Sequence, residues 1–247
     1  MPTMAYLQVP IGKTGMIMKT VESRLAAVHE RMEQACAEAG RAAQDVTLLA
    51  VSKTRPPEEM LAAYAAGQRA FGENQLQDAQ PKLDASSGLH TQWHFIGPLQ
   101  SNKTRPVAEQ FDWVHSVDRV KIATRLSQQR PTSAKPLQIC LQYNVSAEVS
   151  KSGFGTSELA IAADAVAQLP GLQLRGLMAI PAPVDDFGEQ RRAFATVRHA
   201  FELLVQAGHE LDTLSMGMTD DMEAAIAEGA TIVRIGTAIF GPRSPRP

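Results

Sequence analysis

The 247-residue chain sets 24 Lys and Arg against 26 Asp and Glu, for a formal charge of −2, and its pI is about 6.3. That balance excludes the basic excess of a nucleic-acid or anionic-membrane binder and favours a small-molecule ligand. Apolar residues make up 44% and charged residues 20%, which suits one large domain with a full core.

Cys36 and Cys140 show neither C-x-x-C nor metal-ligand spacing, so they read as small buried hydrophobes in a reducing cytoplasm. No stretch approaches the roughly 18 uninterrupted apolar residues of a membrane helix. Residues 1–19 are broken by Pro2, Pro10, Gly12 and Lys13 and read as a flexible leader rather than a signal peptide. Met16 or Met18 offers an alternative start. Gly12-Lys13-Thr14 ends like a P-loop, but the opening glycine of that motif would fall at Leu7, so the match is discarded.

Val21, Leu25, Val28, Met32 and Cys36 recur at helical spacing up to Gly40 and predict an amphipathic helix ahead of the main fold. Val46–Val51 is a β-rich apolar run ending in Ser-Lys-Thr-Arg-Pro-Pro. A helix containing Met60, Leu61 and Tyr64 follows and closes at Gly67. Further short strands are expected at Ala70–Glu73, Trp93–Gly97, Trp113–Val117, Leu137–Val145, Leu172–Ile180, Thr213–Gly217 and Ile232–Gly236. Helices are clearest at Ser157–Leu169 and Gln190–Gln206, while Asn102–Gln110 is a poor helix candidate. With the first, the strands number eight, and their alternation with helices predicts a single (β/α)8 TIM barrel over residues 20–247. A doubly wound open sheet is the competitor, disfavoured because no G-x-G-x-x-G turn follows the first strand.

In a barrel, ligands bind at the carboxyl ends of the strands. Lys53 sits there, sharing strand parity with Leu49 and Val51, so apolar neighbours would lower its pKa and free its amine for imine formation. On position alone a lysine snorkelling at the strand mouth is the better account. At the far end of the chain, Gly217 and Gly236 permit close backbone approach to an anion, and Ser215, Thr219 and Thr237 add hydroxyl donors. Thr219 alone reads equally well as a helix N-cap. Two such loops on adjacent strands favour phosphate.

The segments Leu48-Leu49-Ala50-Val51-Ser52-Lys53-Thr54, Phe71-Gly72-Glu73-Asn74, Trp93 to Lys103, Gly176-Leu177-Met178-Ala179-Ile180 and Ser215 to Gly241 together resemble the pyridoxal-phosphate homeostasis proteins, whose barrel is similar to the cofactor domain of alanine racemase. The resemblance implies pyridoxal 5′-phosphate (PLP) as cofactor, held as a Schiff base on Lys53, with Ser215, Thr219, Gly236 and Thr237 around its phosphate. It places Arg234 at the pyridine nitrogen and Asn74 beside the ring, with His94 and Met178 on the same rim. Gln75 and Thr219 stand where the family has tyrosine and, commonly, serine.

An arginine at the ring nitrogen disfavours its protonation and weakens the ring as an electron sink. Transamination is therefore disfavoured, while racemase-like proton transfer stays open on electronic grounds but needs a second acid/base. The resemblance implies a non-catalytic cytoplasmic carrier, expected to be monomeric, with apo PLP-dependent enzymes as recipients and without nucleic-acid or membrane partners. In alanine racemases a second acid/base comes from an additional domain, for which this chain, ending soon after the eighth strand, is expected to have no room. The alternatives are an amino-acid racemase using Lys53 as its only base and a Schiff-base aldolase acting on a sugar phosphate. His90 and His94 would lie about 13 Å apart along an extended chain, which argues against a metal site. His29, His115, His199 and His209 read as surface or structural histidines.

Overall fold

The computed structural model describes residues 20–146 and 152–242; the expected leader and the P-loop-like triplet lie outside the described residues. Helix α1 (Val21–Glu38) is capped by Thr20, whose hydroxyl accepts the Ser23 N–H at 3.1 Å. Its stripe of Leu25, Val28, Met32 and Cys36 is buried, as the helical spacing predicts. There follow β1 (Thr47–Val51), α2 (Pro57–Ala65), β2 (Ala70–Glu73), α3 (Leu76–Ala85), β3 (Gln92–Phe95), α4 (Thr104–Gln110), β4 (Trp113–Val117) and α5 (Val120–Gln129). The second half runs β5 (Leu137–Tyr143), α6 (Thr156–Ala167), β6 (Leu172–Ala179), α7 (Phe187–Gln206), β7 (Thr213–Ser215), α8 (Met222–Ala227), β8 (Ile232–Ile235) and α9 (Thr237–Phe240).

All eight strands are parallel and form a closed barrel in sequence order, the (β/α)8 architecture expected. The ring closes between β1 and β8, with Thr47 opposite Ile232 and Ala50 opposite Ile235. Because side chains alternate along a strand, each strand has one face on the helices and one inside the barrel. Ala50, Phe71, Trp93, Val114, Ile139, Leu177 and Val233 face outward into the main core, while Leu49, Cys140, Met178 and Ile232 fill the interior. Each large apolar side chain so buried contributes about 1.5–3 kcal/mol. Among the described residues no helix is long and apolar enough to cross a membrane.

Two differences from the sequence reading have local causes. Residues 104–110 are helical, because Pro106 falls within the first turn, where its missing N–H is not needed, and Thr104, Val107 and Ala108 are buried. Several strands stop short of their expected ends, so that Gly97, Gly217 and Gly236 lie beyond the ladder, on the loops of the carboxyl-terminal rim.

The β5–β6 register shifts between Ile139 and Cys140, and beside that irregularity Gly176 has φ +154°. A Cβ there would lie 1.9 Å from the Thr213 carbonyl oxygen. Gly176→Ala is therefore expected to lower unfolding free energy by about 1–3 kcal/mol through overpacking, read as a lower urea midpoint; an unchanged midpoint would mean that β6 and β7 can part without cost.

Candidate functional site

At the carboxyl end of the barrel lies a cavity of about 340 Å³. Val51 and Lys53 line it from β1, Asn74 from β2, Ile96 from β3 and Ile180 from β6, with Met218, Thr219, Asp220, Arg234, Gly236 and Thr237 from the last two strands and their loops. The two-residue strand period brings these groups inward. Of the residues singled out in the sequence, Lys53, Asn74, Thr219, Arg234, Gly236 and Thr237 thus meet here. Met178 lines an adjoining pocket of about 390 Å³ that shares Asn74, Ile96 and Ile180 with the first. His94 and Ser215 are fully buried and do not line the cavity.

Lys53 is presented by a tight turn that a buried ion pair supports. The Ser52 carbonyl accepts the Arg55 N–H at 3.0 Å and Lys82 Nζ at 2.7 Å, while the Ser52 hydroxyl donates to Glu73 Oε1 at 2.6 Å. Lys82 and Glu73 pair at 2.6 Å with side-chain exposures of 1% and 0%. Thr54, the residue after Lys53, has φ +63°, a strained conformation for a β-branched residue that surrounding contacts must hold. Burial pushes the Glu73 carboxyl up, opposed by the Lys82 cation and the hydrogen bonds it receives.

Asn74 comes close to the next loop, since a Cβ on Gly97 would lie 2.0 Å from the Asn74 carbonyl oxygen. Its Oδ1 is buried with no hydrogen-bond partner among the described residues. Thr219 is not a helix cap. Asp221 is the N-cap residue of α8 and accepts the Met218 N–H through Oδ1, while the Thr219 carbonyl accepts Arg31 from α1 at 3.1 Å.

Arg234 is the buried cation of the site. Nη1 donates to the Ser215 carbonyl at 2.5 Å and the Ser215 hydroxyl at 2.8 Å, and Nη2 donates to the Ala179 carbonyl at 2.9 Å. A guanidinium has five N–H groups, so two have no partner among the described residues, in a side chain that lines the cavity. Burial lowers its pKa to about 10, opposed by the Asp221 carboxylate, and it stays charged at neutral pH. Beneath it, His115 Nδ1 lies 2.7 Å from Ser215 Oγ, His115 Nε2 lies 2.9 Å from His94 Nδ1, and His94 Nε2 lies 3.0 Å from Gln92 Oε1. Burial takes the His94 pKa down to about 3 and, with His94 and Arg234 adding to the effect, holds His115 well below its usual range.

The model of the alanine racemase N-terminal domain family matches residues 24–244. The pyridoxal phosphate homeostasis protein of Pseudomonas aeruginosa is 57% identical over 226 residues, covering 92% of this chain and 97% of that protein. Its counterpart from Haemophilus influenzae is 52% identical over 228 residues, covering 91% and 96%. This chain belongs to the pyridoxal phosphate homeostasis proteins. A solved structure, PipY of Synechococcus elongatus with PLP bound, superposes with a TM-score of 0.78 at 36% identity over 90% of this chain and all of that one. Alanine racemase of Corynebacterium glutamicum, 19% identical over 87% of this chain and 60% of its own, has a TM-score of 0.67 and shows the shared barrel alone.

For this homeostasis-family chain, the sequence reading passed over His115, Glu73 and Lys82 as functional residues. His115 shares strand parity with the buried Trp113, which is a usable signal; nothing in the polar run of α3 marks Lys82 as buried.

Two outcomes are expected. Lys82→Met should cost about 3–5 kcal/mol by stranding a buried carboxylate. With the cation gone, the Glu73 pKa rises further, so the loss should grow as pH climbs through that raised value, read by urea unfolding at several pH values. His94 and His115 have the opposite sign, because their folded pKa values are depressed. Stability is fully present above about pH 6.5 and falls as acid protonates the unfolded histidines, with a slope approaching two protons by about pH 5; a flat profile would mean that both titrate normally in the folded protein.

Proposed function

We propose that this protein binds PLP in the cavity at the carboxyl end of the barrel and serves the homeostasis of that cofactor. The observation that carries the reading is the set of groups around one cavity: an amine at Lys53, hydroxyls at Thr219 and Thr237, backbone exposed at Gly236, and a cation at Arg234 with two N–H groups to spare. Asn74 Oδ1, buried without a partner, adds an acceptor in want of a donor. When bound, PLP supplies an aldehyde that a lysine amine can hold covalently and reversibly.

Each residue then has a part. Lys53 holds the aldehyde carbon. Thr219, Gly236 and Thr237 receive the phosphate as hydroxyl and backbone donors, and Ser215 serves Arg234 in place of the phosphate. Arg234 directs an N–H at the ring nitrogen and, as a cation, keeps a proton off it, which disfavours transamination. Asn74 and Ile96 border the ring from the adjoining strands, and Met178 supports them from below. Lys53 is half-buried rather than sealed, which suits release to apo PLP-dependent enzymes by a cytoplasmic, monomeric carrier.

The test is the visible absorbance of the purified protein and of Lys53→Ala, each incubated with PLP, followed by borohydride reduction and peptide mapping. Wild type should turn yellow with its label on Lys53, and Lys53→Ala should stay colourless; no band, or a label on another lysine, would overturn the reading. Transfer of the cofactor to an apo-enzyme supports the carrier role, whereas loss of an α-deuteron from amino acids with turnover would replace it with a racemase. Arg234→Glu should change the bound cofactor's spectrum and its response to pH, and an unchanged spectrum would move Arg234 away from the ring.

A further inference from the structure

The interior of the barrel contains polar groups that its fold does not require. Leu49, Cys140, Met178 and Ile232 fill that space with apolar atoms, yet His94, His115, Ser215 and Arg234 share it, all 5% exposed or less. Burying such groups is costly unless each finds a partner. Here the partners form a single line from the exposed Gln92, at the amino-terminal mouth of the barrel, to Arg234 in the cavity.

The protons in this line can be placed by elimination. Arg234 only donates, so Ser215 Oγ accepts from it and turns its own proton elsewhere. The acceptor within reach is His115 Nδ1, at 2.7 Å. That nitrogen is therefore bare, and a neutral imidazole must then carry its proton on Nε2, which faces His94 Nδ1 at 2.9 Å. The same step at His94 puts its proton on Nε2, toward Gln92 Oε1 at 3.0 Å, which accepts. Every donor meets an acceptor in one direction only. Chains of this kind strengthen cooperatively, because an acceptor that also donates is a better acceptor.

We infer that Gln92, His94, His115 and Ser215 are positioning residues: their one-way hydrogen-bond chain sets the plane of the Arg234 guanidinium and so aims its two uncommitted N–H groups into the cavity. The other acceptors of Arg234 are the backbone carbonyls of Ser215 and Ala179, whose directions the barrel fixes. Ser215 Oγ is the one acceptor that can rotate, and His115 decides where it points. The role rests on the PLP reading proposed above, since the ring nitrogen is what those N–H groups would meet.

Two measurements test it. Nitrogen-15 NMR of histidine-labelled wild type should show both buried rings protonated on Nε2 and bare on Nδ1, without titration between about pH 5.5 and 8; an Nδ1-protonated or titrating ring would overturn the direction of the chain, whether or not PLP binds. His94→Phe keeps the stack on Trp113, now 5.3 Å between centroids and 4° from parallel, but removes the acceptor for His115. It should still be labelled at Lys53 by PLP and borohydride, with a shifted absorbance band and an affinity reduced on the order of tenfold. Ser215→Ala, a smaller change, should act alike, and Gln92→Glu, which keeps an acceptor, should behave as wild type. Folded His94→Phe and Ser215→Ala with the wild-type band and affinity would reduce the chain to a packing feature, and a wild type that binds no PLP would sink the functional reading while leaving the NMR result to stand.

Discussion

A guanidinium in the middle of a β-barrel loses its hydration, a cost of several kcal/mol that only protein hydrogen bonds can offset. Arg234 occupies that position, and much of the site follows from satisfying it. Two backbone carbonyls and one hydroxyl take three of its protons, and two histidines held neutral by burial extend the line of dipoles away from it. A charged histidine at position 115 would set like charge against Arg234 in a dry interior. The surrounding groups thus keep the cation but admit no second one.

Two strands along the barrel from Arg234, on β2, a different buried ionic device does comparable work. The Glu73–Lys82 pair gains little net stability over an apolar pair of similar volume, but it grips Ser52 at both carbonyl and hydroxyl. That grip steadies a turn whose next residue but one, Thr54, is strained. Behind the cavity Lys82 Nζ and Glu73 Oε1 are committed to each other and to Ser52, although Glu73 Oε2 has no partner among the described residues; in the cavity lining Asn74 Oδ1 and two N–H groups of Arg234 are likewise without one. Unspent hydrogen-bonding capacity at a concave surface is what a polar ligand requires.

Much of this architecture could be read from residue order. Strands Ala70–Glu73 and Trp113–Val117 coincide with their apolar runs, and parity along Val46–Val51 puts Lys53 on one face with Leu49 and Val51. What escaped reading depended on contacts between distant segments. His94 and His115 are 21 residues apart and meet because β3 and β4 pair with His94 opposite Trp113; no local spacing encodes that register. Ser215 is 100 residues from His115, so its hydroxyl looked available to a phosphate when it was already engaged. Helix α4 escaped because Pro106 counts against a helix in a pattern but not in a first turn.

The closure of the ring between β1 and β8 also orders events in time. Leu49 and Arg234 lie opposite each other but are separated by 185 positions in the chain, so their pairing is among the most non-local contacts in the molecule and is slow to form. As the ribosome extends the chain from its amino terminus, Lys53 emerges early while the strand bearing Arg234 is still unmade. A nascent chain therefore carries the amine without its cationic counterpart, and the protein can capture its ligand in the native geometry only after the eighth strand has emerged and closed the barrel.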